Sequence, residues 1–130
     1  MTIDEIFYRI ETGTTTQDDA VALRQILARR HTISDWVRAC GVLAETKGFE
    51  LTRIDQQLLL IIDEVMEAYH KVRNRTGLAG NFQMEFSEEL ADVVIRTFSF
   101  CHGNNIRLED AIIAKHGKNQ DRPHKHGKDF

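Results

Sequence analysis

The sequence is short of proline, cysteine and long apolar runs, and each shortage argues against a class of protein. Pro123 is the only proline, and most segments space their apolar residues as helices do rather than in the alternation of strands. Cys40 and Cys101 lack the CxxC spacing of a zinc or redox site, so we expect reduced, partly buried thiols. No apolar stretch approaches the roughly 20 residues of a membrane-spanning helix.

The charge and length of the chain further limit the classes of protein to which it could belong. The chain has 130 residues, of which 42% are hydrophobic and 28% charged, the balance of one soluble globular domain. Its net charge of −3 argues against a general nucleic-acid binder. The first residues, MTIDE, lack the basic start and apolar stretch of a signal peptide. We therefore expect a cytoplasmic protein that binds neither nucleic acid nor a membrane.

The apolar spacing predicts an all-α fold. Helices are expected at about residues 3–11, 18–30, 32–48, 52–74, 84–102 and 108–118, the third capped by Thr32 or Ser34. They predict a helical bundle of about four core helices with additional N-terminal helices, in a single domain. Residues 1–50 would form a helical extension, and residues 51–130 the motif-bearing core with a basic C-terminal tail.

The two long helices each carry an apolar stripe at steps of three and four residues. The stripe of the 52–74 helix contains Leu58, Ile61, Ile62, Val65, Tyr69 and Val72, and that of the 84–102 helix contains Phe86, Leu90, Val93, Val94, Thr97 and Cys101. We expect these stripes to be buried in the core of the bundle.

Four carboxylates border these stripes. Glu64 and Glu67 are one turn apart on the first long helix, and Glu89 and Asp92 are one turn apart on the second. The spacer, residues 68–88, is long enough to bring the second helix back antiparallel, so the four acids can meet. Such a group repels itself unless a cation sits within it, and oxygen ligands favour Mg²⁺, Mn²⁺ or Ca²⁺ over zinc. The alternative is two solvated helix faces, on which ExxE and ExxD pairs are common.

The C-terminal tail is basic. Residues 115–130 read KHGKNQDRPHKHGKDF, in which five Lys and Arg accompany two Asp, so the tail carries +3 and the rest of the chain −6. A phosphate-bearing ligand suits a basic tail beside an acidic metal site, because Lys and Arg donate hydrogen bonds to phosphate oxygens. A solvated tail without a ligand is the simpler interpretation of the same composition.

The ExxE pair, the ExxD pair and the basic tail follow one another along the chain. In that order they resemble the motifs of the all-α nucleoside triphosphate pyrophosphohydrolases of the MazG-like superfamily. Residues 58–68, LLLIIDEVMEA, are similar to the first motif helix of that family, and residues 86–96, FSEELADVVIR, to the second. The pairs Lys118-Asn119 and Arg122-Pro123, followed by residues 126–128, resemble the closing segment of short phage- and bacteria-type members. The likeness covers about residues 56–130, and the first 50 residues carry no motif of the family.

The resemblance implies a homodimer or homotetramer that hydrolyses a nucleoside triphosphate to a monophosphate and pyrophosphate, clearing unwanted nucleotides. Mg²⁺, with Mn²⁺ as a possible substitute, would be held by Glu64, Glu67, Glu89 and Asp92, and Glu64 or Glu67 would take the proton of the attacking water. The residues implied in triphosphate binding are Lys118, Asn119 and Arg122, with Lys115, Lys128, Lys71 and Arg96 as further candidates. For Lys71 and Arg96 an internal ion pair is the alternative role.

A function from another class is compatible with the same sequence. The chain could be a non-catalytic helical module that binds a nucleotide or a protein partner. The complete set of four acids argues against that alternative, because a non-catalytic copy has no need of them. No motif indicates a base or sugar preference.

Overall fold

The computed structural model describes residues 1–27, 31–74, 81–123 and 125, and the regular structure within those ranges is helical, which confirms the all-α prediction. The helices are α1 (Ile3–Glu11), α2 (Gln17–Leu27), α3 (Ile33–Thr46), α4 (Ile54–Arg73), α5 (Phe82–Gly103) and α6 (Leu108–Gln120). Each predicted helix is present, and within the described ranges its ends differ from the prediction by about two residues or fewer. Residues 28–30 of the second predicted helix lie outside the described ranges.

Capping boxes set the starts of α1 and α3. The Thr2 hydroxyl accepts a hydrogen bond from the Glu5 backbone N–H at 3.2 Å, and the Thr2 N–H donates to the Glu5 carboxylate at 2.6 Å. Thr32 and Asp35 repeat the arrangement at 3.1 and 3.0 Å. Thr32 is therefore the cap of α3, rather than Ser34.

A small apolar core joins the N-terminal helices. Phe7, Ala39 and Val42 are buried together, and the residues packed around them are Ile3, Ile10 and Leu23. The Arg38 guanidinium lies 4.4 Å from the centre of the Phe7 ring, which ties α3 to α1. The first 50 residues thus supply α1 to α3, with their own packed centre.

Helix α5 lies at the centre of the bundle, between α3 and α4. Lys71, near the end of α4, forms an ion pair with Glu85, near the start of α5, while the Asn104 amide after α5 donates to the Leu51 carbonyl before α4. Helices α4 and α5 are therefore antiparallel, as the carboxylate spacing required. Helix α6 contacts α3, where the Ser34 N–H donates to a Glu109 carboxylate oxygen at 3.0 Å.

A glycine permits the close approach of α3 to α5. A Cβ added at Gly41 would lie 2.2 Å from the Cβ of His102, a distance that real Cβ contacts do not reach. Any side chain at position 41 would therefore push the two helices apart. This contact fixes the spacing of α3 and α5 near the C-terminal end of α5.

The predicted burial of the α4 stripe is wrong for the isolated chain. Ile61 is half-buried, but the rest of the stripe is about half exposed: Leu58 47%, Ile62 53%, Val65 48%, Tyr69 51% and Val72 47%. The residues of α4 that face the chain are instead Gln57, Glu64, Ala68 and Lys71. The helix is amphipathic as predicted, but its apolar side points outwards.

The stripe of α5 is divided between the core and the surface. Cys101 is buried, and Phe86, Val93 and Thr97 are half-buried, whereas Leu90 and Val94 are each 46% exposed. The prediction that the whole α5 stripe is buried is therefore wrong at Leu90 and Val94.

Both cysteines are free and buried, as expected, and burial raises the pKa of the Cys40 thiol to about 11. Among the described residues, no helix combines the length and apolar character needed to cross a membrane.

Candidate metal centre

Three of the four predicted acids converge between α4 and α5. One carboxylate oxygen from each of Glu64, Glu89 and Asp92 lies within 4.8 Å of the other two. The Glu64 and Glu89 side chains are 12% and 16% exposed, and Asp92 is exposed. Three oxygens from two helices, with one side open to solvent, could hold a divalent cation.

The fourth acid, Glu67, lies at the edge of this group. Partial burial raises the pKa of Glu89, and Glu67 raises it further, both by accepting a hydrogen bond from the protonated Glu89 carboxyl and by its charge. Glu67 therefore contacts Glu89 but is outside the three-oxygen cluster formed by Glu64, Glu89 and Asp92. It is also the more exposed member of the α4 pair.

Two cations that the sequence left ambiguous make ion pairs with these acids. The Nε of Arg96 lies 2.5 Å from Oε1 of Glu64, which is on the other helix. The Nζ of Lys71 lies 3.9 Å from Glu89 and 3.8 Å from Glu85. The four acids and the cations Arg96 and Lys71 together carry a formal charge of −2, which one divalent cation would neutralise.

A cavity of about 360 Å³ opens beside the three-oxygen cluster. Glu64, Asp92 and Arg96 form its polar end. The rest of its lining comes from α3, from the segment that joins α3 to α4, and from inner positions of α4 and α5: Cys40, Leu43, Ala44, Lys47, Phe49, Leu51, Gln57, Ile95 and Ser99. The acidic cluster is therefore continuous with a largely apolar cavity, whose volume is typical of small-molecule binding sites.

Two residues that line this cavity and could contact a ligand, Phe49 and Gln57, were not predicted from the sequence. The Phe49 ring is 47% exposed and has the Arg96 guanidinium 5.8 Å from its centre. Gln57 is 3% exposed, and its amide nitrogen donates to the Glu50 carbonyl at 3.3 Å. Phe49 gave no signal, because its place depends on the path between two helices. Gln57 gave no clear signal either, because it follows the polar residues Asp55 and Gln56 in the sequence.

The predicted phosphate-binding residues of the tail lie on or just after α6. Lys115, Lys118 and Arg122 are exposed, and Asn119 is half-buried with a shielded Oδ1 that has no partner among the described residues. None of the four lines the cavity beside the acids. Lys128 lies outside the described residues. The structure thus brings Lys71 and Arg96, but not the α6 residues, into contact with the acidic cluster.

No protein-family model, curated protein or solved structure matches the chain. The site is therefore interpreted from its geometry and its sequence motifs.

Proposed function

We propose that the chain is a Mg²⁺-dependent nucleoside triphosphate pyrophosphohydrolase of the cytoplasm, which cleaves between the α and β phosphates and serves nucleotide housecleaning. The observation that carries the proposal is the three-oxygen cluster of Glu64, Glu89 and Asp92, at the mouth of a cavity large enough for a nucleoside. Its residues belong to the two motifs that resemble the pyrophosphohydrolase family. Carboxylate oxygens from these three positions suit Mg²⁺ or Mn²⁺.

In this proposal the four acids have different roles. Glu64, Glu89 and Asp92 hold the cation, because their oxygens already lie close together. A bound Mg²⁺ supplies charge neutralisation for the triphosphate and the leaving pyrophosphate. Glu67 takes the proton of the attacking water, because it lies beside Glu89 and outside the three-oxygen cluster. The assignment favours Glu67 over Glu64 as the base.

The two ion-paired cations, Arg96 and Lys71, would have a second role beside a bound metal. Arg96 and Lys71 neutralise Glu64 and Glu89 in the metal-free chain. Glu64 and Glu89 would hold a divalent cation with the same carboxylate oxygens that now face these two cations, so Arg96 and Lys71 would be available for other partners. Both groups can then donate to phosphate oxygens, as Arg and Lys commonly do. The ion pairs and the phosphate contacts are in this account two states of the same residues.

The cavity would receive the nucleoside. Phe49 offers a ring face for stacking on a base, and the Gln57 amide could hydrogen-bond its edge. Gln57 is in the first turn of α4, whereas Phe49 precedes α4 and belongs to the first 50 residues, so the N-terminal extension would help to select the base. The tail residues Lys115, Lys118, Asn119, Arg122 and Lys128 remain proposed ligands of the triphosphate.

The direct test is release of pyrophosphate from a panel of NTPs and dNTPs, with Mg²⁺ and with EDTA. We expect turnover of at least one nucleotide that EDTA abolishes and Mg²⁺ or Mn²⁺ restores. Glu64→Gln should lower kcat/KM on the order of 1,000-fold, since a lost metal contact costs several kcal/mol in the transition state.

The matched control is Glu88→Gln, which removes an exposed carboxylate of α5 next to Glu89 but outside the cluster. It should keep the activity of the wild type, and circular dichroism should show both variants equally helical. The competing function is a non-catalytic nucleotide-binding module. Nucleotide binding by calorimetry, without pyrophosphate release from any member of the panel, would support that module and refute the enzyme.

A further inference from the structure

Two buried polar side chains line the cavity beside the acidic cluster, Gln57 of α4 and Ser99 of α5. They are 3% and 5% exposed, so both are almost fully buried. A buried polar atom that lacks a hydrogen-bond partner costs free energy. The groups on these two side chains that can still donate or accept a hydrogen bond therefore indicate which ligand the cavity favours.

Both residues lie two helical turns from the acids, in the same direction. Gln57 precedes Glu64 by seven residues on α4, and Ser99 follows Asp92 by seven residues on α5. Seven residues rise about 10 Å and return to nearly the same side of a helix. Because α4 and α5 are antiparallel, the two shifts point the same way along the pair. Gln57 and Ser99 therefore share one end of the cavity, with space for a ribose between them and a metal at the acids.

The amide of Gln57 has a fixed orientation. Its Nε2 donates to the Glu50 backbone carbonyl at 3.3 Å. A carbonyl oxygen only accepts hydrogen bonds, so the amide must turn its NH₂ group, and not its oxygen, towards Glu50. The Oε1 of Gln57 accepts no hydrogen bond from the described residues, which leaves it for a donor on a molecule in the cavity. The second hydrogen of the NH₂ remains, so Gln57 by itself can also face an acceptor.

Ser99 favours a donor more strongly. Its hydroxyl donates to the Ile95 backbone carbonyl at 2.8 Å, one turn earlier on α5. A hydroxyl has one hydrogen, so only the lone pairs of the Ser99 oxygen are left for a ligand. An acceptor on the ligand would have to draw that hydrogen away from Ile95, whereas a donor needs no rearrangement.

The rest of the lining at this end offers no strong neutral donor. Its other members are mostly apolar, and the Cys40 thiol, which burial keeps protonated, hydrogen-bonds only weakly. The Lys47 ammonium is exposed and keeps water as its partner, while the Arg96 guanidinium is paired with Glu64. The polar groups that a ligand would meet beside Gln57 and Ser99 are therefore mainly acceptors.

Resting on the proposed function, which assigns the nucleoside to this cavity, we propose that Gln57 and Ser99 select bases with an exocyclic amino group. Cytosine and adenine carry an NH₂ group where uracil, thymine and hypoxanthine carry a keto oxygen. The two hydrogens of the NH₂ donate to the Gln57 Oε1 and to the Ser99 oxygen. A keto oxygen in the same place brings a third acceptor against these two. The substrates are thus nucleotides of cytosine or adenine.

Calorimetry of nucleoside monophosphates binding to the full-length protein in Mg²⁺ tests the selection without turnover. CMP and UMP differ at the amino position, as do AMP and IMP. We expect the amino member of at least one pair to bind on the order of 10-fold more tightly, since one well-placed hydrogen bond is at stake. Preference within the CMP pair alone identifies a pyrimidine, and within the AMP pair alone a purine. Equal binding within both pairs, tighter binding of UMP and IMP, or no binding of any of the four overturns the proposal.

Substitutions at the two positions assign the preference to its residues. Ser99→Ala and Gln57→Met remove the acceptors, and each should lower the amino-to-keto ratio of affinities several-fold. Ser87→Ala is the matched control, because Ser87 makes the same bond on α5, to the Gln83 carbonyl at 2.7 Å, but does not line this cavity. Gln56→Met is the control for Gln57, since Gln56 is exposed. A ratio that is unchanged in both Ser99→Ala and Gln57→Met overturns the proposal, and a loss of fold alone would not move a ratio.

The same nucleotides separate this selection from the proposed reaction. Pyrophosphate release from UTP and ITP as fast as from CTP and ATP would refute the selection and leave the enzyme standing. Tighter binding of CMP or AMP, without pyrophosphate release from any triphosphate, would refute the enzyme and leave the selection standing.

Discussion

Helices α3 and α4 are both amphipathic, yet they present opposite sides to the chain. Helix α3 buries apolar residues, among them Val37 and Val42, while α4 turns Glu64 and Lys71 inwards and leaves Val65 about half exposed. The difference teaches that amphipathicity shows that a helix has an apolar side but not what covers it. In α3 the cover is α1 and α5. In α4 the inward side is used for the acidic cluster, so the apolar side must find its cover elsewhere.

The sharpest test of this comparison removes the same two methyl groups from each helix. Val42→Ala should lower the free energy of unfolding by about 2 kcal/mol, because two buried methyls and their packing are lost. It should leave unchanged the dissociation constant of the homo-oligomer that the family resemblance implies. Val65→Ala should instead raise that constant, as measured by sedimentation. If Val42→Ala alone changes association, the two helices have been assigned the wrong roles.

The second prediction concerns the cavity between α3 and the acidic cluster. Phe49→Ala should raise the KM for the preferred nucleotide about 10-fold with little change in kcat, because a stacking surface is lost rather than a reacting group. Steady-state kinetics measures both parameters. Trp36→Ala is the control, since Trp36 is 39% exposed and does not line the cavity. A fall in kcat alone for Phe49→Ala would place Phe49 outside the substrate site.

A smaller effect is expected from the ion pair on the inward side of α4. Arg96→Gln leaves the half-buried Glu64 carboxylate without its cation, which should cost about 1 kcal/mol of stability in EDTA. Saturating Mg²⁺ should restore that stability, because the metal replaces the guanidinium. Thermal unfolding with and without Mg²⁺ measures the difference. Arg107→Gln, which breaks an exposed pair with Asp110, should change neither value.

The smallest predicted effect is a pH dependence of stabilisation by Mg²⁺. The pKa of Glu89 is raised above its ordinary value of 4.5, so in metal-free protein this group contributes stability at low pH that is lost as pH rises through the raised pKa. Mg²⁺ requires the ionised carboxylate, so the gain in melting temperature on adding it should be larger at pH 8 than at pH 5. A gain that is equal at both values would exclude Glu89 as a ligand.

Helices and acidic motifs were readable because their signals are local. The capping box of Thr32 and Asp35 is four residues long, and the pairs Glu64–Glu67 and Glu89–Asp92 each span one turn. The convergence of Glu64, Glu89 and Asp92 also followed from a spacer long enough for an antiparallel return. The predicted functions of these residues and of the tail stay predictions until the assays above are made.

Contacts between segments that are distant in the chain could not be predicted from the sequence. The sequence placed Arg96 one turn past Asp92, but the structure pairs it with Glu64 on the other helix. Phe49 and Gln57 reach the same cavity only because the segment after α3 returns along α5, where Asn104 binds the Leu51 carbonyl. Such positions depend on how helices pack and on close approaches such as that at Gly41. No pattern within one helix encodes them.

By itself the sequence determined that this protein is helical, where most helices begin and end, and that acids of α4 and α5 can come together, because helical periodicity and capping act over a few residues. Only the tertiary structure decided that α4 turns Glu64 inwards and its apolar side outwards, and that α3 walls a cavity beside Glu64 and Asp92. The physical reason is that a helix gains free energy by covering its apolar side with any suitable surface. Whether that surface belongs to the same chain depends on how the other helices pack.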